Sequence, residues 1–321
     1  MYHDTDQIKV QQTIYKEYAM LDILTRAGSF VAIIILGYCL RKIGFFKAED
    51  FTVLSRMVIR ITLPAAIVMN FIGKEIDVSM LSLGLLGLVT GLLYAGLGFL
   101  TNLRNSRDRK AFEMLNLSGY NIGTFMLPFA QNFLGSAGIL ATSMFDIGNS
   151  FICLGGAHSL AAMVKDGNGF SIKRVLIAMV TSVPLMTYVV MITMNLTHIP
   201  VPGFVISFAE LIANSNAFMA MLMIGVGFKL ECNRSQIGQI SKLLSIRYIL
   251  SIILALIFYF VLPLDLEIRQ TLVILCFSPI ASAAPAFTGE LKGNVGLSSA
   301  LNSISIVISI VITITLLTVM L

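Results

Sequence analysis

Residues 112–134 read FEMLNLSGYNIGTFMLPFAQNFL, and residues 269–289 read RQTLVILCFSPIASAAPAFTG. Each is close to the roughly 20 residues that carry a helix across about 30 Å of hydrocarbon at about 1.5 Å per residue. Each is also interrupted, the first by Gly119, Gly123 and Pro128 and the second by Pro279 and Pro285. Proline has no amide for the helix ladder and clashes with the preceding turn. Backbone groups freed at membrane depth must then be satisfied by side chains, ions or water. Polar residues gather where that demand arises: Asn116, Ser118, Asn121 and Thr124 in the first stretch, Ser278, Ser282 and Thr288 in the second. Half-helix N-termini at such breaks offer free amides and a favourable dipole to an anion, while the opposing C-terminal ends offer carbonyls to a cation.

The surrounding sequence is that of a membrane protein. Of 321 residues, 57% are hydrophobic and 12% charged, against about 25% charged in a typical soluble domain. The mean hydropathy is +0.88. Apolar runs predict ten spans, at 22–40, 51–71, 79–100, 112–134, 137–163, 173–195, 205–228, 238–262, 269–289 and 294–319. The net charge of +5 reads as cationic loops on a cytoplasmic face rather than as a nucleic-acid site. Fourteen basic residues, from Arg41, Lys42 and Lys47 through Lys229 to Lys292, fall in one set of alternate loops, and four (Lys9, Lys16, Lys74 and Arg269) fall in the other. Positive residues accumulate in the cytoplasm, so both termini are expected outside. Arg26, Arg56, Arg60 and Arg247 are placed near span ends, where long side chains snorkel. The first 19 residues are mixed and polar, without the greasy run of a cleavable signal. Cys39, Cys153, Cys232 and Cys276 show no metal or redox spacing and read as small buried hydrophobes.

Ten spans without a large soluble insert divide into five plus five, and an odd number per half inverts the second copy. The expected fold is therefore an all-α polytopic membrane protein of two inverted five-helix repeats with broken, crossing helices 4 and 9. The repeats cover 20–164 and 173–321, after a polar tail at 1–19 and joined by a cytoplasmic linker at 165–172.

Several residues stand out within this frame. Asp146 lies in the middle of span five, where a carboxylate is costly and usually faces a cavity or a partner. It suits cation binding, proton relay or capping of freed amides, and Asn149 shares its helix face. Asn121 both donates and accepts, so it suits a substrate carboxylate as well as broken backbone. Asn302, with Ser299, Ser303 and Ser305, is the rough counterpart of the Asp146/Asn149 patch, or a close-packing face. The expected substrate-binding set is Asn121, Thr124, Pro128, Asn149, Ser282, Pro285 and Asn302. Asp146 and Glu290 are the candidate ion-coupling carboxylates, Glu290 also reading as an ordinary interfacial one. Glu113 and Glu210 are expected to be wet, and His158 to be packed or hydrogen-bonded. No phosphate-binding loop, His-Glu metalloprotease pattern or Ser/His/Asp set is present, so neither enzyme chemistry nor a metal or other cofactor is expected.

The sequence resembles the auxin efflux carrier family of membrane transporters, related to the bile-acid/sodium symporter fold. The likeness rests on Gly37-Tyr38, the Arg41-Lys42-Ile43-Gly44 turn and Leu63-Pro64-Ala65. It continues with Asn121 followed by Pro128, Phe133-Leu134-Gly135, Gly225 and Gly227 ahead of Lys229, and Ser278 to Pro285 with Glu290 and Gly296 beyond. Met126 stands where the family often has a glycine before the crossover proline. The short linker between Val164 and Lys173 looks bacterial rather than like that of the long-looped plant exporters. The resemblance implies a permease of a small organic anion, such as a mono- or dicarboxylate, in the bacterial inner membrane. It also implies an elevator-type mechanism, a homodimer, a scaffold of helices 1, 2, 6 and 7, and a transport domain of helices 3–5 and 8–10. Coupling to Na+ or H+ stays open. The alternatives are a sodium-coupled bile-acid-type carrier, or a ligand-gated channel or membrane sensor.

Overall fold

A computed structural model describes the backbone of residues 2–47, 49–167, 169–229 and 234–320, and side chains from residue 20 onward except Val78. Among the described residues all regular structure is helical, apart from one isolated bridge between Tyr120 and Ile280. Cys232 lies outside the described residues; Cys276 is buried and Cys153 partly so, but Cys39 is exposed on the helix surface.

Among the described residues, seven helical stretches are long and apolar enough to cross a membrane. They include Met20–Lys42, the apolar part of α1 (Tyr2–Lys42), and Asp50–Phe71, which joins α2 (Asp50–Met57) to α3 (Leu63–Phe71). Next come α4 (Leu81–Leu100) and Ser136–Asp166, made of α7 (Ser136–Phe151) and α8 (Ala157–Asp166). Gly203–Gly227 contains α11 (Gly203–Ala213) and α12 (Asn216–Gly227). The last two are α13 (Ile237–Phe260) with its preceding turn, and α16 (Val295–Met320). An eighth stretch pairs α9 (Ile172–Val180) with α10 (Val183–Leu196) across a 69° bend. The bend falls where the Ser182 hydroxyl caps α10 and Pro184 occupies its first turn, a position that needs no amide. The chain is thus a multi-pass helical membrane protein.

The two interrupted stretches, 112–134 and 269–289, are broken in the structure, and alike. The first is α5 (Arg107–Leu117), four non-helical residues, a π-helical turn at Ile122–Met126 and α6 (Leu127–Phe133). The second is α14 (Leu266–Cys276), a non-helical stretch at 277–283 and α15 (Ala284–Glu290). Each pairs an 11-residue helix with a 7-residue one. The residue that breaks the first is not Pro128, which sits in the first turn of α6 where its missing amide is harmless. Gly119 does it, at φ +79°, a left-handed conformation that only glycine adopts without strain. In the second stretch Pro279 lies within the break and Pro285 in the first turn of α15.

Glycines set two helix crossings that hold the frame around these breaks. A Cβ on Gly225 of α12 would lie 2.1 Å from the Ile34 carbonyl of α1, and one on Gly148 of α7 would lie 1.7 Å from the Gly84 carbonyl of α4. Both pairs pack backbone to backbone.

Candidate functional site

The two breaks meet. Asn121 N–H donates to the Pro279 carbonyl at 2.9 Å, beside the antiparallel Tyr120–Ile280 bridge. The backbone freed at this crossing is satisfied from three sides. Asn149 of α7 works as a backbone surrogate: its Oδ1 accepts from Tyr120 N–H and its Nδ2 donates to Tyr120 O, both at 2.9 Å. On the opposite strand, Asn302 Nδ2 of α16 donates to Ile280 O at 2.9 Å and Ala281 O at 3.3 Å, while Ser305 Oγ accepts from Ile280 N–H at 3.1 Å. The third side is Arg247 of α13, fully buried, which donates to the Leu117, Gly119, Ser278 and Pro279 carbonyls. Its guanidinium lies 5.0 Å from the Tyr94 ring centroid and 5.3 Å from that of Tyr120. This corrects the snorkelling expectation. Arg247 stands ten residues inside α13, on the order of 15 Å from its start, too deep to reach water.

A cavity of about 250 Å³ opens on one side of the crossing. It is lined by Asn121, Ser282 and Pro285 from the broken stretches, by Ser299, Asn302 and Ser303 of α16, and by the end of α12. Arg41 and Lys229 also line it, and among the described residues of its lining there is no carboxylate. Arg41 is held in place by donating to the Val226 and Phe228 carbonyls at 2.9 and 3.1 Å, so it also caps the C-terminal end of α12. The Lys229 amide donates to Ser303 Oγ at 2.9 Å. The cavity is thus neutral-polar on the crossing side and cationic at the rim. Both basic residues belong to loops counted as cytoplasmic by their charge, and nothing in their local sequence signals that they meet at one site.

The cavity gathers Asn121, Ser282, Pro285 and Asn302 from the expected set, and leaves the others behind the crossing. Thr124 Oγ1 donates to Asn121 Oδ1 at 2.5 Å. Pro128 is buried in α6. Asn149 has its amide committed to Tyr120 and to Asp146 Oδ1, the latter at 3.0 Å. Asp146 is buried on α7 and takes a second hydrogen bond from the Tyr188 hydroxyl at 3.4 Å. It packs against the π-helical turn, since a Cβ on Gly123 would lie 3.5 Å from its Oδ2.

Glu290 is elsewhere, half exposed at the end of α15, where it pairs with Arg174 of α9 and lies 3.4 Å from His158 Nε2. Glu113 is not wet as expected: it is fully buried on α5 and bound by Asn102, Arg109 at 3.1 Å and Lys242 at 3.2 Å. A second buried network joins Asn116 of α5, Thr288 of α15 and Ser298 of α16, which ties the broken stretches together beside the crossing.

At the other end of the molecule, a second cavity of about 440 Å³ is lined by Lys74, Glu75 and Asn195 among others. Lys74 lies in the loop after α3, and burial holds its ammonium below the ordinary value.

No protein-family model matches the chain. A protein of Methanothermobacter thermautotrophicus described as an uncharacterized transporter is 22% identical over 209 residues. The match covers 63% of this chain and 66% of that relative's length, just under two thirds of it.

Proposed function

We propose that the chain is a secondary active transporter of a small organic anion, such as a mono- or dicarboxylate. The observation that carries this reading is the cavity at the crossing, with Arg41 and Lys229 at its rim, Asn121, Ser282 and Asn302 inside, and no carboxylate in its lining among the described residues. A carboxylate entering it meets amide and hydroxyl donors without like-charge repulsion. The transporter relative supports the general class.

In this reading the broken stretches 107–133 and 266–290 count as spans, which makes ten with the eight continuous or bent ones. The matched 11- and 7-residue helices in each support two inverted five-helix repeats, 20–164 and 173–321. Such repeats, with discontinuous helices at their interface, are a recurrent plan among secondary transporters. The likeness to the auxin efflux carrier family extends the proposal to a homodimer in a bacterial inner membrane with both termini outside. It also assigns spans 1, 2, 6 and 7 to a scaffold, against which spans 3–5 and 8–10 move as an elevator. The lining of the cavity supports this division, since α1, α2 and α12 contribute one wall and α15 and α16 the other. Asp146 is the proposed coupling carboxylate, for Na+ or H+.

The test is a melting-shift panel on purified protein in detergent, comparing carboxylates with their neutral amides. A saturable shift for one or more carboxylates, weakened in Arg41→Gln, supports the reading. Shifts by amides as large as those by the acids contradict it.

A further inference from the structure

At a helix break, C-terminal carbonyls are the groups that would hold a cation. Here α5 and α14 both end at the crossing, and carbonyls at and just beyond their ends point to one place: Leu117, the last residue of α5, with Gly119 after it, and Ser278 and Pro279 after α14. An oxygen set of this kind, supplied by two chain segments in a buried site, is what an alkali cation coordinates. It is already occupied by the Arg247 guanidinium.

We propose that Arg247 is the resident cation of the crossing, fixed to the protein in the place an alkali ion would otherwise take. Three observations carry this. Four carbonyl oxygens converge on one side chain. Among the described residues no carboxylate pairs with it, so its counter-charge is the negative ends of two helix dipoles. The rings of Tyr94 and Tyr120 stand at 87° to each other, both facing the guanidinium, a cation–π arrangement that needs no acid. Tyr94 is fixed in turn by Ser251 at 2.7 Å, whose hydroxyl donates to Cys276 O at 2.7 Å, the last residue of α14.

A guanidinium keeps its charge when buried and spreads its donors in a rigid plane. It therefore joins the two breaks in every state of the protein and does not leave with the substrate. Any coupling ion must bind away from these carbonyls. This deepens the proposed function by removing one ion site from it, and rests on that reading only for the word coupling.

The experiment needs no substrate, so its failure and that of the anion reading are separable. Purified protein is melted in NaCl, KCl and N-methylglucamine chloride at equal ionic strength, as wild type, Arg247→Lys and Arg247→Ala. The wild type is expected to melt at the same temperature in all three salts, apart from any Na+-specific rise that the Asp146→Asn variant, melted beside it, abolishes. Arg247→Lys is expected to melt lower, since one ammonium nitrogen cannot stand both at the Nη1 position beside Leu117 O and at the Nη2 position beside the Gly119, Ser278 and Pro279 carbonyls. Arg247→Ala is expected to melt lowest and to regain most of the loss with ethylguanidinium, which restores the missing atoms, or with Na+. Three results would overturn the proposal: a Na+-specific rise in wild type that persists in Asp146→Asn, an Arg247→Lys protein as stable as wild type, or an Arg247→Ala deficit that no cation relieves. Should the Ala variant not fold, the Lys comparison and the wild-type salt series still decide.

Discussion

Replacing Asn149 by alanine separates backbone support at the crossing from ordinary helix packing. The side chain hydrogen-bonds both backbone groups of Tyr120, its N–H and its carbonyl, each at 2.9 Å, while the carbonyl also accepts a weaker bond from the Cys153 thiol at 3.6 Å. Tyr120 is 1% exposed, so water does not replace them. A buried polar group left without a partner costs about 1–3 kcal/mol; the N–H is left so and the carbonyl keeps only the thiol, so the two together cost roughly 1–4 kcal/mol. Hydrogen bonds between membrane helices average only ~0.6 kcal/mol, because released groups usually find other partners. Tyr120 stands in a break and has no helical ladder to rejoin, so the larger range applies. At ~2–4 °C per kcal/mol, as for domains of 150–250 residues, the melting temperature is expected to fall by on the order of 10 °C. Asn302→Ala strips Ile280 and Ala281 of their donor, but Asn302 borders the cavity and water enters there, so the loss is expected near ~1 kcal/mol. Melting curves give the ranking, and amide hydrogen exchange over residues 118–122 shows whether the damage is local. An Asn149→Ala protein that melts with wild type and keeps those amides protected would refute the argument.

Other perturbations read different parts of the account. Asp146→Asn keeps an oxygen acceptor for Tyr188 or Asn149 and is expected to change stability by less than about 1.5 kcal/mol, while ion-dependent uptake in proteoliposomes is lost; retained coupled uptake removes Asp146 from the coupling role. Glu113→Ala is expected to cost about 1–3 kcal/mol, below the usual value for a broken buried pair because Arg109 and Lys242 are 42% and 37% exposed and can resolvate. Glu290→Ala breaks a surface pair and is expected to cost under ~1 kcal/mol in chemical denaturation, so a larger loss would give that pair a heavier structural part. Gly225→Leu drives a side chain into the α1 backbone and is expected to cost at least ~1–3 kcal/mol; unchanged melting would refute the close α1–α12 crossing.

Much of this architecture is legible in composition and run length, because a membrane imposes both. Apolar runs near 20 residues locate the spans without any knowledge of packing, and the interrupted pair marks the crossing. The agent of the first break is harder to read. Pro128 draws attention as the residue that cannot continue a helix, yet it sits harmlessly in a first turn, and Gly119 breaks the helix by adopting a positive φ that sequence does not display. Arg247 was misplaced for a similar reason. Its neighbours in the chain look like the start of a span, but its ten-residue depth in α13 is a countable signal that it cannot snorkel. Glu113 appears near a span end, and only the tertiary meeting of Asn102, Arg109 and Lys242 shows that it is enclosed. Asn149 and Asn302 are legible as polar residues in apolar helices. Which of them faces the cavity depends on how α7 and α16 pack around the breaks, and local sequence does not contain that.

The central claim is that the cavity at the crossing passes an organic anion. Its most direct measurement is counterflow of a radiolabelled carboxylate in proteoliposomes, with wild type beside Ala286→Phe. Ala286 lines the cavity and is exposed, so the larger ring fills the space without removing any hydrogen bond. Saturable counterflow in wild type, lost in a folded Ala286→Phe protein, is the expected result. Equal counterflow in both proteins, or none for any carboxylate with wild type folded in the vesicles, would contradict the claim.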